Sequence, residues 1–397
     1  MTPHPPVVVT GQQIGAGWTP ALSVVKALTA LAVAQHLGGR AVYWMADEDH
    51  DRLEVATTLG WREDRILRHR FEFQAPEGTA TGWLEWTERQ QREADTLWGR
   101  IPLPTEPTLR GHVLALGAPL WRRGIEAFSP TDPAVREPIQ DTLTRWRELG
   151  LEARLSGQAQ RLEDEGETLV LDPRKQSAWF CLDPRTGLRR PLEPHEACPP
   201  HQWLSPGAAL RPLMQSLLLP VTHAVLGPAE RAYWRLTEPL WELVGLAQPE
   251  IIARPSVYVA PPGTRLSPIQ LEALRHGYWE ALVPPSSIPS PSAPLPSTLM
   301  NSLRPDPAWG PDIGRSFAQT LATTRRKLIK LDRRFQRDLA SETLGGDPER
   351  LRQKLFPFGK PQERVIPGLC WLRNEALLDG MLDALGQGDL IHILEEP

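Results

Sequence analysis

Three β-branched residues, Val7 to Val9, form the first apolar run, and the stretch behind them, Thr10 to Pro20 (TGQQIGAGWTP), carries Gly11, Gly15 and Gly17. The pattern predicts a buried strand, a tight turn and a helix start, with Thr19 as N-cap and Pro20 at the first helical position. From Pro20 to about Leu37, the residues Leu22, Val25, Leu28 or Thr29, and Ala32 share one stripe, as in a helix packed on a sheet. Gly38-Gly39 ends that helix. Ala41 to Ala46 is apolar at both parities, the mark of a parallel strand covered on two faces. Strand, helix and strand make a right-handed βαβ unit. Open sheets of this kind bind ligands beyond the carboxyl ends of their strands. The Gly-Gln turn and the block Asp47-Glu48-Asp49-His50-Asp51 are therefore expected side by side at one rim.

The remaining pattern divides the chain. Residues 1–56 form the first part of the core. Residues 57–107 alternate and are rich in aromatics (RFEFQ, GWLEW), predicting a β-rich insertion. Residues 108–155 return to the core, with helix over 134–149 and a strand at Glu152 to Leu155. Residues 156–204 read as a second insertion of strands and turns. Residues 205–283 complete the core: helix at 208–219, strand at 221–226, helix from Gly227-Pro228 to about Val244, and strand at 250–254. A Pro/Ser-rich linker occupies 284–312, its densest part being 284–296. Residues 313–397 begin with a charged helix to Leu344, where Leu321, Leu328, Leu331 and Phe335 keep helical spacing, and end in a strand at 390–394. That helix predicts a helical hairpin or short coiled coil.

Composition narrows the class. The net charge is −4 and the pI is near 6.2, which argues against a nucleic-acid or acidic-membrane partner. No apolar run approaches the length of a membrane span and the first strand starts almost at once, so no signal peptide is expected. Cys181, Cys198 and Cys370 form no CxxC pair and read as reduced thiols of a cytoplasmic protein. Of 44 basic residues only six are lysine, and Lys26 is alone in the first 170 residues.

Several residues have chemistry in reach. A helix N-terminus behind a glycine turn attracts anions, which makes Gly11, Gly15, Gly17 and Thr19 candidates for holding a phosphate. The turn is not GxGxxG, so a nicotinamide dinucleotide has little support. Thr10, Gln12 and Gln13 offer a hydroxyl and two amides for a phosphate, a sugar, an amino acid or the turn itself. The side chain of Lys26 leans towards the helix start, within reach of an anion. Asp47 to Asp51 put four carboxylates around one imidazole. The cluster can supply a general base, hold magnesium or zinc, or be a charged loop, and no metal-ligand set stands out. Arg211, Gln215, His223, Glu230 and Tyr233 interrupt apolar elements and need partners or a ligand. Gly227 starts a second possible anion site, and Arg254 and Ser256 end the next strand.

In order and spacing these motifs resemble the bacillithiol biosynthesis cysteine-adding enzyme family. The resemblance rests on TGQQ-x-G with Lys26, on Trp44, Ala46 and the EDHD block, and on LSP (204–206) with Arg211 and Gln215. GP-x-E-x-AYW (227–234) and LFP-x-GKPQERV (355–365) complete it. It implies an α/β protein: a Rossmann-like parallel-sheet core with two inserted connective subdomains and a C-terminal helical, short coiled-coil element that makes a homodimer. It also implies a ligase joining the carboxyl of L-cysteine to the amine of glucosaminyl-malate. ATP or ADP is the implied nucleotide, and magnesium a candidate cation. In the implied roles Asp49 or His50, with Glu48 beside them, serves the attacking amine. Asp51, His223, Glu230, Tyr233 and Ser256 line the substrate, and Arg211 and Arg254 neutralise carboxylates. Two departures stand out: the helical segment before the first strand is missing and the coiled-coil segment is short, and Gly17-Trp18-Thr19-Pro20 replaces a second glycine pair. A transferase for another amino acid or amino sugar fits the same residues, as does a nucleotide-sensing scaffold.

Overall fold

A computed structural model describes residues 5–62, 65–283, 303, 308 and 310–396. The Pro/Ser stretch at 284–296 lies outside the described residues. The chain divides into two compact units, residues 1–257 with 363–394, and residues 258–362 with 395–397.

In the first unit, β1 (Val7–Gln12) leads into α1 (Leu22–Leu37) and β2 (Arg40–Met45), followed by a hairpin of β3 (Thr57–Arg62) and β4 (Arg65–Arg70). Then come β5 (Ile125–Phe128), α2 (Gln140–Glu148) and α3 (Leu151–Asp164). Three short strands follow: β6 (Trp179–Leu182), β7 (Arg189–Pro191) and β8 (Trp203–Pro206). The core closes with α4 (Arg211–Leu218), β9 (Val221–Leu226), α5 (Pro228–Trp234) and β10 (Glu250–Ala253). The central sheet has the order β10-β9-β1-β2-β5 and every pairing in it is parallel. This is a Rossmann-like core with added helical segments. From β1 the chain moves to β2 on one side and returns to β9 on the other, so the crevice at their carboxyl ends is a topological switch point.

Burial explains the strands. Val7, Val9, Val42 and Trp44 face a core built with Leu143, Trp146, Leu155, Leu213 and Trp234, each such side chain contributing roughly 1.5–3 kcal/mol. On the opposite face α1 lies between the sheet and the helix Glu375–Leu385. The expected single stripe on α1 is corrected accordingly: Ser23 to Leu31 are all buried. Gly38, at φ 64°, ends the helix as expected.

Other expectations change. The helix after the turn starts at Leu22 with Ala21 as N-cap, and Thr19 does not cap it. Its hydroxyl bonds the Ala16 carbonyl and the Thr58 hydroxyl instead. The region 57–107 holds one hairpin and then a helix, Glu88–Trp98. Its aromatic residues read as strands because they alternate, yet Phe71, Phe73 and Trp86 turn inward as a ring cluster. The strand expected at Glu152 to Leu155 is part of α3, where Leu151, Leu155, Ala159 and Leu162 make a buried helical stripe. A four-residue window cannot reveal that period. The helix from Pro228 stops at Trp234 and continues as a 3-10 stretch, Arg235–Leu240, that contains Pro239. Cys181 and Cys198 are paired as a disulfide with Cα atoms 5.8 Å apart, correcting the expectation of three thiols. The fold of the segment between α3 and α4 brings together two residues 17 apart without a recognisable motif. Cys370 remains a thiol, its pKa pushed by burial to about 12.

The second unit contains the helices Pro268–His276, Pro311–Leu344 and Pro348–Leu355. The long helix is observed as expected, but only Ala340 on it is buried, and Leu331 and Phe335 are exposed. Among the described residues it forms no coiled coil. No helix among them is long and apolar enough to cross a membrane.

Candidate functional site

A cavity of about 310 Å³ lies at the switch point, lined by the ends of β1 and β9, the starts of α4 and α5, and residues that follow β2 and β10. Of the sequence candidates it gathers Thr10, Gly11, Gln12, Gln13, Asp49, Arg211, Gln215, Gly227, Glu230, Tyr233 and Arg254. The two motifs do share one rim: Gln13 Nε2 donates to the Asp51 carbonyl at 3.3 Å.

The acidic block splits by direction, because successive residues leaving a strand point apart. Asp47 is fully buried and accepts from the Ser129 and Thr131 hydroxyls at 2.5 and 2.9 Å. Burial pushes its carboxyl up to about 6, against the opposing pull of Ser129, Arg110 and Thr131. Glu48, also fully buried, meets Arg136 Nη2 at 3.0 Å, the Ser205 hydroxyl at 2.9 Å and Arg211 Nε at 3.4 Å. Burial alone would raise its pKa, but Arg136, Arg211 and Arg189 outweigh that and hold it below the usual range. Glu48 does not line the cavity; it braces the wall. Asp49 does line it, 3.3 Å from Arg211 Nη2 and 3.9 Å from Arg189 Nη1. Those two guanidiniums overcome its burial and keep it ionised. His50 does not line the cavity; its Nδ1 lies 3.1 Å from Arg189 Nη1. Asp51 is spent as the N-cap of Arg52–Ala56, accepting from the Leu53 and Glu54 amides at 3.1 Å.

Lys26 is buried rather than free. Its Nζ donates to the Gly11 carbonyl at 2.5 Å, Gln12 Oε1 at 3.1 Å and Glu230 Oε1 at 2.6 Å. Burial lowers its pKa, and Glu230 offsets part of the effect. The Thr10 hydroxyl is committed to the Val225 carbonyl at 3.0 Å. Arg254 is bound to Glu363 Oε1 at 2.8 Å and to the Pro255 carbonyl at 2.6 Å. His223 sits at the other end of β9, beside Glu250 at 3.5 Å, and Ser256 does not line the cavity.

At both helix starts the leading amides are taken by the protein's own groups. Gly15, Gly17 and Thr19 do not line the cavity. The Gly17 amide donates to His112 Nε2 at 3.1 Å, and the Ala21 amide to the Ile366 carbonyl at 2.9 Å. Gly17 holds φ 66° with the Trp98 ring against it, while Trp18 turns inward onto Tyr43 at 5.0 Å. At the second start, the Gly227 amide is taken by Glu230 Oε2 at 2.8 Å. A phosphate held by the Gly17, Ala21 or Gly227 amides would have to displace these partners, whereas Leu22, Ala229 and Glu230 line the cavity, and the Rossmann-like core is consistent with nucleotide binding in general. Among the described residues no cluster of three or more His, Cys, Asp or Glu side chains is placed to hold a metal.

Four residues were not foreseen. Arg136 and Arg189 anchor Glu48, Asp49 and His50, and Glu363 anchors Arg254. Glu54 lines the cavity with its pKa raised by burial and by Asp51 and Asp49. Arg136 and Arg189 carry no local signal, since surface arginines are common in this chain.

A family model described as the bacillithiol biosynthesis BshC N-terminal Rossmann-like domain matches residues 194–255. The chain is 28% identical to a Thermus thermophilus protein named putative cysteine ligase BshC, over 96% of this chain and 86% of the relative. A Salinibacter ruber protein of the same name is 24% identical over 95% and 80%. An Exiguobacterium sibiricum one is 26% identical over 94% and 80%. Spread along nearly the whole chain, and joined to a Rossmann-like sheet with a polar cavity at its switch point, these matches make the chain similar to the BshC proteins.

Proposed function

We propose that the protein joins the carboxyl group of L-cysteine to the amine of glucosaminyl-malate. The observation that carries the reading is the convergence on one cavity of an ionised Asp49, Arg211, and the amides of Gln12, Gln13 and Gln215. Amide formation needs a carboxylate held, neutralised and activated, so that one of its oxygens leaves with the phosphate or AMP that ATP supplies, together with an oriented amine and an acceptor for the proton that the amine gives up. Arg211 and Arg254 are cast as the neutralising cations, and Asp49 as the group that orients the amine and accepts its proton. The glutamine amides and Tyr233 offer donors and acceptors for sugar hydroxyls. Exposed Leu331 and Phe335 on the long helix support a second copy of the chain as a partner there.

The test is mass-spectrometric detection of the cysteinyl amide from glucosaminyl-malate and L-cysteine, with and without ATP and magnesium. Product that appears only with ATP supports a ligase that activates the carboxyl through the nucleotide. Folded protein that yields no product in any of these mixtures overturns the reading.

A further inference from the structure

We propose that Arg189, reaching in from β7, is a positioning residue that holds His50 as a neutral imidazole with its proton on Nε2. In this tautomer the free ring nitrogen, Nε2, offers a hydrogen-bond donor and not a proton acceptor.

The contact fixes the assignment. Arg189 Nη1 lies 3.1 Å from His50 Nδ1. A guanidinium has only N–H donors, so this distance is satisfied only where Nδ1 presents its lone pair. The neutral ring then carries its proton on Nε2, and a second proton on Nδ1 would set two donors face to face. Arg189 cannot swing away easily, since its side chain is 2% exposed. Its Nε donates to the Ser205 hydroxyl at 3.1 Å and its Nη2 to the Pro206 carbonyl at 2.9 Å. Its guanidinium lies 3.9 Å from the centre of the Phe180 ring, and the His50 ring is 5.5 Å from the same phenyl. Three strands of one small sheet thus supply one clamp: Phe180 from β6, Arg189 from β7, and Ser205 and Pro206 from β8.

The charged groups facing His50 are Asp49 and Asp51 on its own loop, Arg189 from β7 and Arg211 from α4. The carboxylates favour the imidazolium. Burial and Arg189 oppose it and prevail, which lowers the His50 pKa. Asp49 Oδ1 is 4.0 Å from Nδ1, farther than the guanidinium nitrogen. A neutral imidazole donating through Nε2 suits an oxygen that gains negative charge during amide formation. That catalytic consequence rests on the ligase reading. The tautomer does not, being a property of the free protein.

The experiment follows the imidazole signals of the full chain by NMR with isotope-labelled histidine, His50 being identified by its loss in H50Q. The expected result is an Nε2–H tautomer at neutral pH and a titration midpoint below that of an ordinary histidine. In R189Q the tautomers mix and the midpoint rises, because Asp49 and Asp51 then act with less opposition; R189K restores part of the shift. S205A frees one side of the guanidinium without removing its charge, so it shifts His50 in the same direction even if R189Q folds poorly. In the ligase assay R189Q is expected to lower kcat by roughly tenfold to a hundredfold, with a smaller change in KM. An Nδ1–H tautomer in the unmodified protein, or a His50 titration untouched in both R189K and S205A, overturns the proposal. Absence of ligase product with the tautomer as stated counts against the ligase reading alone.

Discussion

Lys26 Nζ lies 2.6 Å from Glu230 Oε1, and this contact ties the helix behind β1 to the helix behind β9 across the switch point. The lysine side chain is 1% exposed and the glutamate 24%, so neither charge is well served by water once the other is gone. Breaking a buried pair from one side typically costs about 3–5 kcal/mol, whereas removing both partners costs less. K26M and E230Q are each expected to lower the urea midpoint strongly, and K26M/E230Q less than the two effects added. A double-mutant cycle in urea measures the coupling, and strict additivity would contradict the pairing.

The end of β1 passes unusually close to β2. A Cβ on Gly11 would stand 2.8 Å from the Trp44 carbonyl oxygen and 3.0 Å from Trp44 Cβ. The obstacle is strand backbone, which cannot rotate aside, so G11A must part the two strands at the cavity wall. Overpacking of this kind costs about 1–3 kcal/mol. Thermal unfolding of G11A should show a matching drop in Tm, together with weakened substrate binding.

Glu48 and Asp49 are neighbours with separate duties. E48Q leaves Arg136 and Arg211 short of a buried counter-charge, and a stability loss of about 3–5 kcal/mol is expected. D49N faces the cavity and should unfold closer to the unmodified protein while losing most turnover. Tm and product formation measured on both variants distinguish the roles. Equal stability losses would contradict the division.

Asp47 sets an acid-side signature. Its folded pKa, about 6, lies above the ordinary 3.8, so the folded protein takes up a proton between these values. The stabilisation this brings is fully present below 3.8 and is lost as pH rises through 6. D47N mimics the protonated group at every pH. It is expected to be more stable than the unmodified chain by up to about 3 kcal/mol above pH 6, with the gain fading below pH 4. Urea midpoints at pH 4 and pH 8 check this.

His112 acts in the opposite sense. Burial lowers its pKa from 6.5 to about 3 while its Nε2 accepts from the Gly17 amide and its ring stacks on Trp86 at 3.6 Å. Its contribution is present above 6.5 and is lost as pH falls towards 3. H112Q is expected to be less stable than the unmodified chain at pH 7, and the gap should narrow by about 3 kcal/mol at pH 4. An unchanged gap would show that His112 is not held neutral.

By itself the sequence determined the frame of the first unit. β1 and β2 are legible because central parallel strands buried on both faces read as nearly unbroken apolar runs, β9 and β10 through their shorter apolar runs Ala224–Leu226 and Ile251–Ala253, and Gly38 marks the end of α1. Chain order and the right-handed crossover then put the Gly-Gln turn and Asp49 at one rim. The sequence could not determine what each polar residue at that rim would meet. Asp47 finds Ser129 82 residues away, and Glu48 finds Ser205 157 residues away. Arg189 reaches His50 across 139 residues from β7, a three-residue strand too short to stand out. A buried charge is tolerated only beside its partner, and such partners come from distant elements that packing brings together. The tertiary structure therefore decided that Lys26 and Glu48 are braces, that the glycine turn is closed, and that Asp49 is the carboxylate of its block left facing the cavity.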